Sequence, residues 1–251
     1  MNRLFQTFIL LAALHGPRID SRPFFTPHLQ IGETIGNIFS RTISYKSDSF
    51  PEVCFRVSGT AIYTVKDSSS WKPVLTCAYR YDARGEGVST VHMSDFGKTA
   101  TDDSGRSAVN TDASGFLFNQ LIWGTAPATL AVGDTWTVRI PQAWELGGPG
   151  DQTVTVMDID PQSNTIRLKR EGRGEGFYDN DAKSVTIQKN GKPVRMTITP
   201  GVTHWVGYTT FKNGLVISDE LLSTRTVTLT DNGVQYQASQ REYILLNEMP
   251  A

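Results

Sequence analysis

The chain has 251 residues, of which 39% are hydrophobic and 20% are charged, and its formal net charge is −1. This length and composition suit a single all-β domain that buries its core without metal, and they exclude wholesale disorder. The near-zero net charge gives no electrostatic reason to expect a nucleic acid or an acidic membrane surface as a partner.

Residues 1–16 have the pattern of a secretory signal peptide. Arg3 precedes the apolar run Leu4–Leu14, which is shorter than the roughly 20 residues that a spanning helix needs. Small residues near its end favour cleavage at residues 13–16. The sequence therefore predicts an exported chain, periplasmic or extracellular, with no transmembrane segment after signal removal. The alternative is that this segment is a first amphipathic helix of the fold.

Residues 17–251 are dominated by apolar and polar residues that alternate with a period of two, as in half-buried strands. This pattern is clearest at Thr135–Ile140, Thr165–Lys169 and Thr226–Thr230. Further strands are predicted at about residues 39–46, 53–66, 73–82, 87–94, 151–160, 173–179 and 202–211. The pattern predicts one domain of antiparallel strands that form a large curved sheet, an open barrel or a sandwich.

Three Asn-Gly dipeptides predict two-residue hairpin turns, which need positive φ at both positions: Asn190-Gly191, Asn213-Gly214 and Asn232-Gly233. The opposing pairs that follow are Ile187–Val194, Val185–Met196, Leu229–Tyr236, Val227–Ala238, Phe211–Val216 and Thr209–Ser218. The first four pairs place apolar residues on one face. The last pair is polar, so the hairpin at Asn213 is the weakest of the three predictions.

A short helix is predicted before Gly124, because Leu117 and Leu121 are four residues apart, as are Phe118 and Ile122. Isolated helices of about two turns are marginal in water. The helix is therefore expected to pack on the sheet.

The four residues of Arg84–Gly87 recur as Arg173–Gly176, 89 residues later. The matched surroundings favour two degenerate repeats, at about residues 53–112 and 134–199. The glycines suit bulges or bends in a strand. A functional alternative is that Glu86 and Glu175 meet in one cleft as the acid and base of a glycan hydrolase.

Aromatic residues are the main candidates for ligand binding. His204 and Trp205 follow a Pro-Gly dipeptide and could combine stacking with a polar contact, although neighbours in a strand more often face core and solvent. Trp123 and Phe118 belong to the predicted helix. If the sheet is only partly filled by this helix, such side chains would line an apolar pocket for a lipid or another small molecule.

Cys54 and Cys77 are the chain's two cysteines, and they lie in neighbouring predicted strands. In an exported protein they are expected to form a disulfide. The alternative is a pair of buried free thiols that act as small apolar side chains.

The sequence contains no Gly-x-Ser-x-Gly elbow, and its four histidines lack the spacing of a zinc site. No catalytic residue, metal or cofactor is therefore predicted, and enzymatic activity is not favoured. The preferred hypothesis is a non-enzymatic exported protein that binds an apolar or amphipathic ligand. The alternatives are a structural or interaction module whose sheet edge recruits another envelope protein, and the glycan hydrolase.

Overall fold

The computed structural model describes residues 17–67, 74–82, 85–94, 99–102, 118, 120–141, 149–175 and 183–249. Its elements are β1 (Ile19–Asp20), α1 (Arg22–Phe25), β2 (Thr34–Ser47), β3 (Phe50–Asp67), β4 (Val74–Tyr81), β5 (Gly85–Ser94), β6 (Thr99–Asp102), α2 (Gln120–Trp123), β7 (Thr129–Leu130), β8 (Thr135–Ile140), β9 (Gly150–Asp160), β10 (Thr165–Gly174), β11 (Ser184–Lys189), β12 (Lys192–Lys212), β13 (Leu215–Asp231) and β14 (Val234–Glu248). The predicted all-β fold with a short helix on the sheet is confirmed. The predicted signal peptide lies outside the described residues and stays a prediction.

Among the described residues twelve strands form one antiparallel sheet. Eleven of them follow the order β6-β5-β4-β3-β2-β14-β13-β12-β10-β9-β8, and the twelfth, β11, pairs with β12 off this path. Most neighbours in the sheet are also neighbours in sequence, and the pairing of β14 with β2 joins the two ends of the chain. The long strand β12 pairs with β10 along Thr203–Lys212 and with β11 along Lys192–Thr197. Among the described residues β6 and β8 are the outermost strands of this order, so the sheet is not closed into a barrel.

Side chains on one face of the sheet, here called the inner face, form three apolar clusters. The first cluster joins α1 and α2 to the sheet and contains Phe24, Phe25, Phe118, Ile122, Trp123, Leu130, Val138, Ile140, Val154, Val156, Ile166, Leu168, Trp205, Phe211, Val216, Leu221, Ile244 and Leu246. The second cluster contains Ile35, Phe39, Ala61, Tyr63, Val65, Leu75 and Cys77. The third cluster contains Tyr45, Phe50, Val185, Ile187, Met196, Ile198, Val227, Leu229 and Ala238.

The third cluster shows that the sheet curves strongly. It joins Val185 and Ile187 of β11 to Phe50 of β3, although β11 and β3 are five strand spacings apart in the sheet. In a flat sheet that separation would be about 24 Å, since neighbouring strands lie about 4.8 Å apart. The expectation of a large curved sheet is therefore met at this end.

Two of the predicted hairpins have the predicted register. Ile187 lies opposite Val194 and Val185 opposite Met196, and the pairs around Asn232-Gly233 are also as predicted. The three turn asparagines have φ between 47° and 52°, and the glycines that follow them have φ between 75° and 83°. These values are those of the type I′ turn that an Asn-Gly dipeptide favours.

The register of the third hairpin was predicted wrongly beyond its first pair. Phe211 lies opposite Val216 as expected, but Thr209 lies opposite Asp219 instead of Ser218. The cause is a β-bulge, which gives β13 one extra residue, Ile217, between these pairs. This extra residue turns Asp219 onto the inner face.

The replacement Gly191→Ala tests the turn chemistry alone, because no atom lies within 4 Å of the position that a Cβ would occupy. The φ of +75° at this residue is one that L side chains avoid, so we expect a loss of about 1–2 kcal/mol in the free energy of unfolding, measured by urea titration. Gln188→Ala on the adjacent exposed surface of β11 is the control, with an expected change within about 0.5 kcal/mol. Equal effects of the two replacements would contradict this account of the turn.

The helices are short. In α2 the N–H of Gly124 donates to the carbonyl of Gln120 at 2.9 Å, and Gly124 has φ +65°, so the glycine ends the helix as predicted. Leu117 lies outside the described residues. The helix α1 has Pro23 in its first turn, and it buries Phe24 and Phe25 in the first cluster.

Candidate ligand-binding site

The middle of the inner face is polar. On β12, β13 and β14, two successive rows of buried polar side chains lie between the first and third clusters. We call these residues, with one arginine from β2, the polar belt: Arg41, Thr203, Ser223, Arg225, Gln240 and Glu242. The inner face is therefore apolar, then polar, then apolar along these strands.

Side chains of the polar belt bind one another. Arg41 forms an ion pair with Glu242 through its Nε atom, and Arg225 donates from Nε to Oε1 of Gln240 at 2.8 Å. Arg225, Gln240 and Glu242 are all at least 94% buried. Charged groups in such surroundings lose their hydration and need good partners. Burying the belt therefore costs free energy of folding, and its charged groups need well-placed hydrogen-bond partners to offset that cost.

A second buried ion pair lies beside the belt. Arg170 of β10 donates from Nη2 to Oδ2 of Asp219 at 2.6 Å, and the Thr209 hydroxyl donates to Oδ1 of the same carboxylate at 2.5 Å. The Arg170 guanidinium also lies 4.9 Å from the centre of the Trp123 ring, in the range of a cation–π contact. This pair links the sheet to α2.

Three of the four predicted ligand-binding residues come together. Phe118, Trp123 and Trp205 are all members of the first cluster and are 4–6% exposed. Phe118 and Trp123 stack with their ring centres 6.2 Å apart. His204 is exposed on the opposite face, because successive side chains of a strand point to opposite sides. The two side chains therefore point to opposite sides of the sheet, although both residues border a cavity of about 430 Å³, and a joint role in binding stays a prediction.

Two hydrogen bonds hold the C-terminal end of α2 against the edge of the sheet. Trp136 of β8 donates from Nε1 to the Trp123 carbonyl at 2.7 Å, and Gln152 of β9 donates from Nε2 to the Ile122 carbonyl at 2.9 Å. The indole N–H of Trp205 in turn donates to Oε1 of Gln152 at 2.9 Å. These donors satisfy carbonyls that a helix end leaves without partners, and they fix α2 over the aromatic residues.

The replacement Trp136→Phe is expected to loosen α2, because it removes one of these hydrogen bonds and keeps an aromatic ring. A bond of this kind contributes about 1 kcal/mol, so the amide of Gly124 should exchange with solvent about fivefold faster. Hydrogen exchange followed by mass spectrometry or NMR measures this rate. Tyr208→Phe, on β12 away from α2, is the control and should leave the exchange rate of the Gly124 amide unchanged. Equal rates in the wild type and both variants would refute the role of Trp136.

Two cavities lie along β9 and β10, near the edge of the sheet that β8 forms. These cavities, of about 480 and 430 Å³, share Asp151 and Arg173 among their lining residues. His204 lines the smaller one and Glu175 lines the larger one. Asp151 forms an exposed ion pair with Arg139 at 2.8 Å. The lining thus combines charged side chains with apolar ones, among them Trp205 in the smaller cavity and Val202 in the larger one.

The two glutamates of the proposed carboxylate pair lie on strands that are far apart in the sheet order. Glu86 is on β5 and Glu175 directly follows β10, and six strands lie between β5 and β10 in the sheet order. The strand pairing around the two repeat copies also differs. In the first copy β5 pairs with the preceding strand β4, whereas in the second copy β11 pairs with the following strand β12 and not with β10. The carboxylate pair and the repeats around residues 53–112 and 134–199 stay predictions of the sequence.

The expected disulfide between Cys54 and Cys77 is wrong, because both cysteines are free. Cys77 lies opposite Tyr63 on β3, and Cys54 is nine residues from Tyr63 along the same strand. At about 3.3 Å per residue this is roughly 30 Å, far beyond the reach of a disulfide. The two cysteines do lie in neighbouring strands, as the sequence predicted. The sequence did not show how far apart they are along those strands.

The two thiols should differ in reactivity. Burial raises the pKa of Cys77 to about 11, whereas Cys54 is exposed. At pH 8 only about one in a thousand Cys77 side chains would be the reactive thiolate. We expect Ellman's reagent to titrate one thiol per folded chain rapidly and two in guanidinium. A titre of zero in the unfolded, unreduced chain would contradict the free-thiol state.

Sequence reasoning missed the polar belt, although a signal for it was present. The predicted pair Val227–Ala238 defines the inner-face positions of β13 and β14. Continuing that register in steps of two places Arg225 opposite Gln240 and Ser223 opposite Glu242, as the structure shows. Polar residues at positions that the alternation assigns to the core are the signal that could have found the belt.

No metal-binding group of three or more His, Cys, Asp or Glu side chains occurs among the described residues. None of the described helices has the length and apolar character needed to cross a membrane.

Comparison with known proteins identifies no family. No model of a protein family matches the sequence. No curated protein matches it. Among solved structures the chain is similar to lipovitellin, from a structure described as lipid–protein interactions in lipovitellin, with a TM-score of 0.46 and 7% identity over 89% of this chain. The matched part is 26% of that protein, and a likeness this weak indicates neither a family nor a ligand.

Proposed function

We propose that the chain is an exported, non-enzymatic protein that binds an amphipathic ligand against the inner face of its sheet. The observation that carries this proposal is the polar belt, which lies between two apolar clusters on the same face. A molecule with one polar and one apolar part would match both kinds of surface.

The energetic cost of the belt supports a functional role. Well-packed apolar residues in place of a buried ion pair often leave a protein equally stable or more stable. Arg225, Gln240 and Glu242 occupy positions that the strand alternation would fill with apolar side chains. Their retention in the interior is explained if they make polar contacts with a bound molecule.

The way α2 is attached provides a route for the ligand. The helix has four residues, and side-chain hydrogen bonds from Trp136 and Gln152 hold its C-terminal end. Displacement of α2 would carry Trp123 away from Phe211, whose ring centre lies 5.3 Å from that of Trp123, and would uncover Phe211 in the first cluster. An apolar chain could then occupy the surface that the helix covers in the unliganded protein.

Export rests on the sequence of residues 1–16. Its basic start, short apolar run and small residues support removal by a signal peptidase. N-terminal sequencing of protein recovered from its native host should give a start at about residues 14–17. An intact Met1 would overturn the export part of the proposal and leave ligand binding to be judged by itself.

Native mass spectrometry of protein purified gently from its host tests ligand binding. We expect an additional mass that is retained in the native spectrum and lost on denaturation, and it would identify the ligand class. A clean ligand-free mass in repeated preparations would contradict the proposal. That outcome would favour the interaction module, whose exposed sheet edge recruits a protein partner.

A pair of variants tests the location of the site. Ser223→Leu introduces a bulky apolar side chain into the belt, whereas Thr224→Leu makes the same change on the exposed outer face. Only the first should reduce the retained ligand mass, provided that circular dichroism shows both variants folded. Equal retention by both variants would place the ligand elsewhere.

A further inference from the structure

The three Asn-Gly turns share one backbone geometry but differ in their surroundings. Asn190, Asn213 and Asn232 have φ between 47° and 52°, and a glycine with φ between 75° and 83° follows each of them. In two of the turns both residues are exposed, whereas Gly214 in the third is buried. The backbone therefore does not distinguish the three asparagines, and their surroundings do.

The turn at Asn190 is open to solvent. Asn190 and Gly191 are both exposed, and no atom lies within 4 Å of the position that a Cβ on Gly191 would occupy. Within the described part of the chain the Asn190 carboxamide has no hydrogen-bond partner. Its side chain can therefore rotate toward the backbone nitrogen of Gly191 without breaking a contact.

Two sets of contacts hold the turn at Asn213. Oδ1 of Asn213 accepts a hydrogen bond from Nδ2 of Asn164 at 2.9 Å, and the Asn213 backbone N–H donates to the Asn164 carbonyl at 3.1 Å. A Cβ on Gly214 would lie 2.3 Å from backbone atoms of Thr26 and Pro27. The segment between α1 and β2 therefore lies directly on this glycine and covers it.

We propose that Asn190 is a site of spontaneous deamidation and that the fold protects Asn213 from the same reaction. The backbone nitrogen of Gly191 attacks Cγ of Asn190 and closes a five-membered succinimide ring. The Nδ2 group takes up the proton of the Gly191 amide and leaves as ammonia. Water then opens the ring at either carbonyl and gives aspartate or isoaspartate. A glycine favours ring closure because it has no side chain to hinder the approach of its nitrogen.

The turn at Asn232 is expected to react at an intermediate rate. It is as exposed as the turn at Asn190, but Nδ2 of Asn232 donates to Oδ1 of Asp231 at 3.0 Å. This hydrogen bond holds the carboxamide, and the carboxylate opposes the negative charge that develops on the attacking nitrogen. At Asn190 the residue that follows the turn is the cationic Lys192 instead.

The reaction would change the part of the sheet that the turn organises. It places a negative charge at the tip of the hairpin that joins β11 to β12, and isoaspartate also adds one carbon atom to the backbone of the loop. A two-residue loop sets the register of its strands, and the register of β11 directs Val185 and Ile187 into the third cluster. The site is thus independent of the proposed ligand site.

Incubation of the folded protein at pH 8.5 and 37 °C, followed by pepsin digestion in acid and mass spectrometry of the peptides, tests the proposal. Aspartate and isoaspartate should accumulate at Asn190 at least about tenfold faster than at Asn213, which must break a hydrogen bond and displace the covering segment before its ring can close. The same chain in concentrated urea is the matched control. There the difference between these two sites should disappear, because both turns are then unfolded.

The replacement Asn164→Gly tests the protection of Asn213. Asn164 has φ of 50°, so glycine keeps its backbone geometry while it removes the carboxamide that holds Asn213. Deamidation at Asn213 should become about fivefold faster, the effect of one lost hydrogen bond, and the rate at Asn190 should not change. An unchanged rate at Asn213 in this variant would overturn the protective role of Asn164.

Two results in the wild-type protein would overturn the proposal. One is an equal rate at Asn190 and Asn213 in the folded chain, which would show that the fold does not protect Asn213. The other is an Asn190 that stays intact in the folded chain over a time in which it reacts in urea, which would show that the open turn does not permit ring closure.

Discussion

Replacing Asp219 with Ala is expected to lower the free energy of unfolding by about 3–5 kcal/mol. The carboxylate is the ion-pair partner of Arg170, whose side chain is 3% exposed, and it also accepts a hydrogen bond from Thr209. Without it the guanidinium loses this partner while it remains in the interior. The loss should be close to the full cost of a poorly compensated buried charge.

Urea titration followed by tryptophan fluorescence measures this effect. Asp151→Ala is the matched control, because Asp151 also pairs with an arginine, Arg139, but both side chains are more than half exposed. Exposed pairs contribute about 0–1 kcal/mol. Similar losses in the two variants would show that burial does not govern the Arg170–Asp219 interaction. The double replacement Arg170→Met with Asp219→Leu should recover most of the stability.

Replacing Phe211 with Ala is expected to cost about 3–5 kcal/mol, the range for a large aromatic residue removed from a core. Phe211 is 0% exposed, and its ring centre lies 5.3–5.8 Å from those of Phe118 and Trp123 and 5.4 Å from that of Phe25. It therefore supports α1, α2 and the segment before α2 from a single position on β12. Loss of the ring leaves a cavity that all three partners border.

The control for this prediction is Phe55→Ala. Phe55 lies on β3 and is 44% exposed, so the same change in chemistry removes much less buried surface. We expect it to cost less than half as much as Phe211→Ala in the same urea titration. Comparable losses would contradict the central role of Phe211. A rise in fluorescence of an apolar dye with Phe211→Ala alone would show that the first cluster has been opened.

Local chemistry explains why much of the fold was predictable. The Asn-Gly dipeptides require positive φ at two successive residues, and this requirement sets both the turn and the register of its strands. The pairs around Asn190 and Asn232 follow from this constraint and from the alternation of apolar residues. Neither depends on distant parts of the chain.

β-Bulges explain where the local argument failed. The bulge at Ile217 turns Asp219 inward, and a second irregularity between Pro200 and Thr203 changes which alternate residues of β12 face the core. Because of the second one, Trp205 lies on the inner face and His204 on the outer face. Assigning alternate residues of a strand to the two faces of the sheet cannot detect a bulge. One extra residue reverses the face assigned to every residue beyond it.

The sequence by itself determined the all-β class, the position of the helix α2 before Gly124 and the register of two hairpins, since these depend on alternation and turn residues close in the chain. Only the tertiary structure decided that β14 pairs with β2, that the cysteines are about 30 Å apart along the strands, and that Arg170 meets Asp219. Those contacts join residues far apart in sequence. They are set by the curvature and bulges of the complete sheet, and no short segment contains that information.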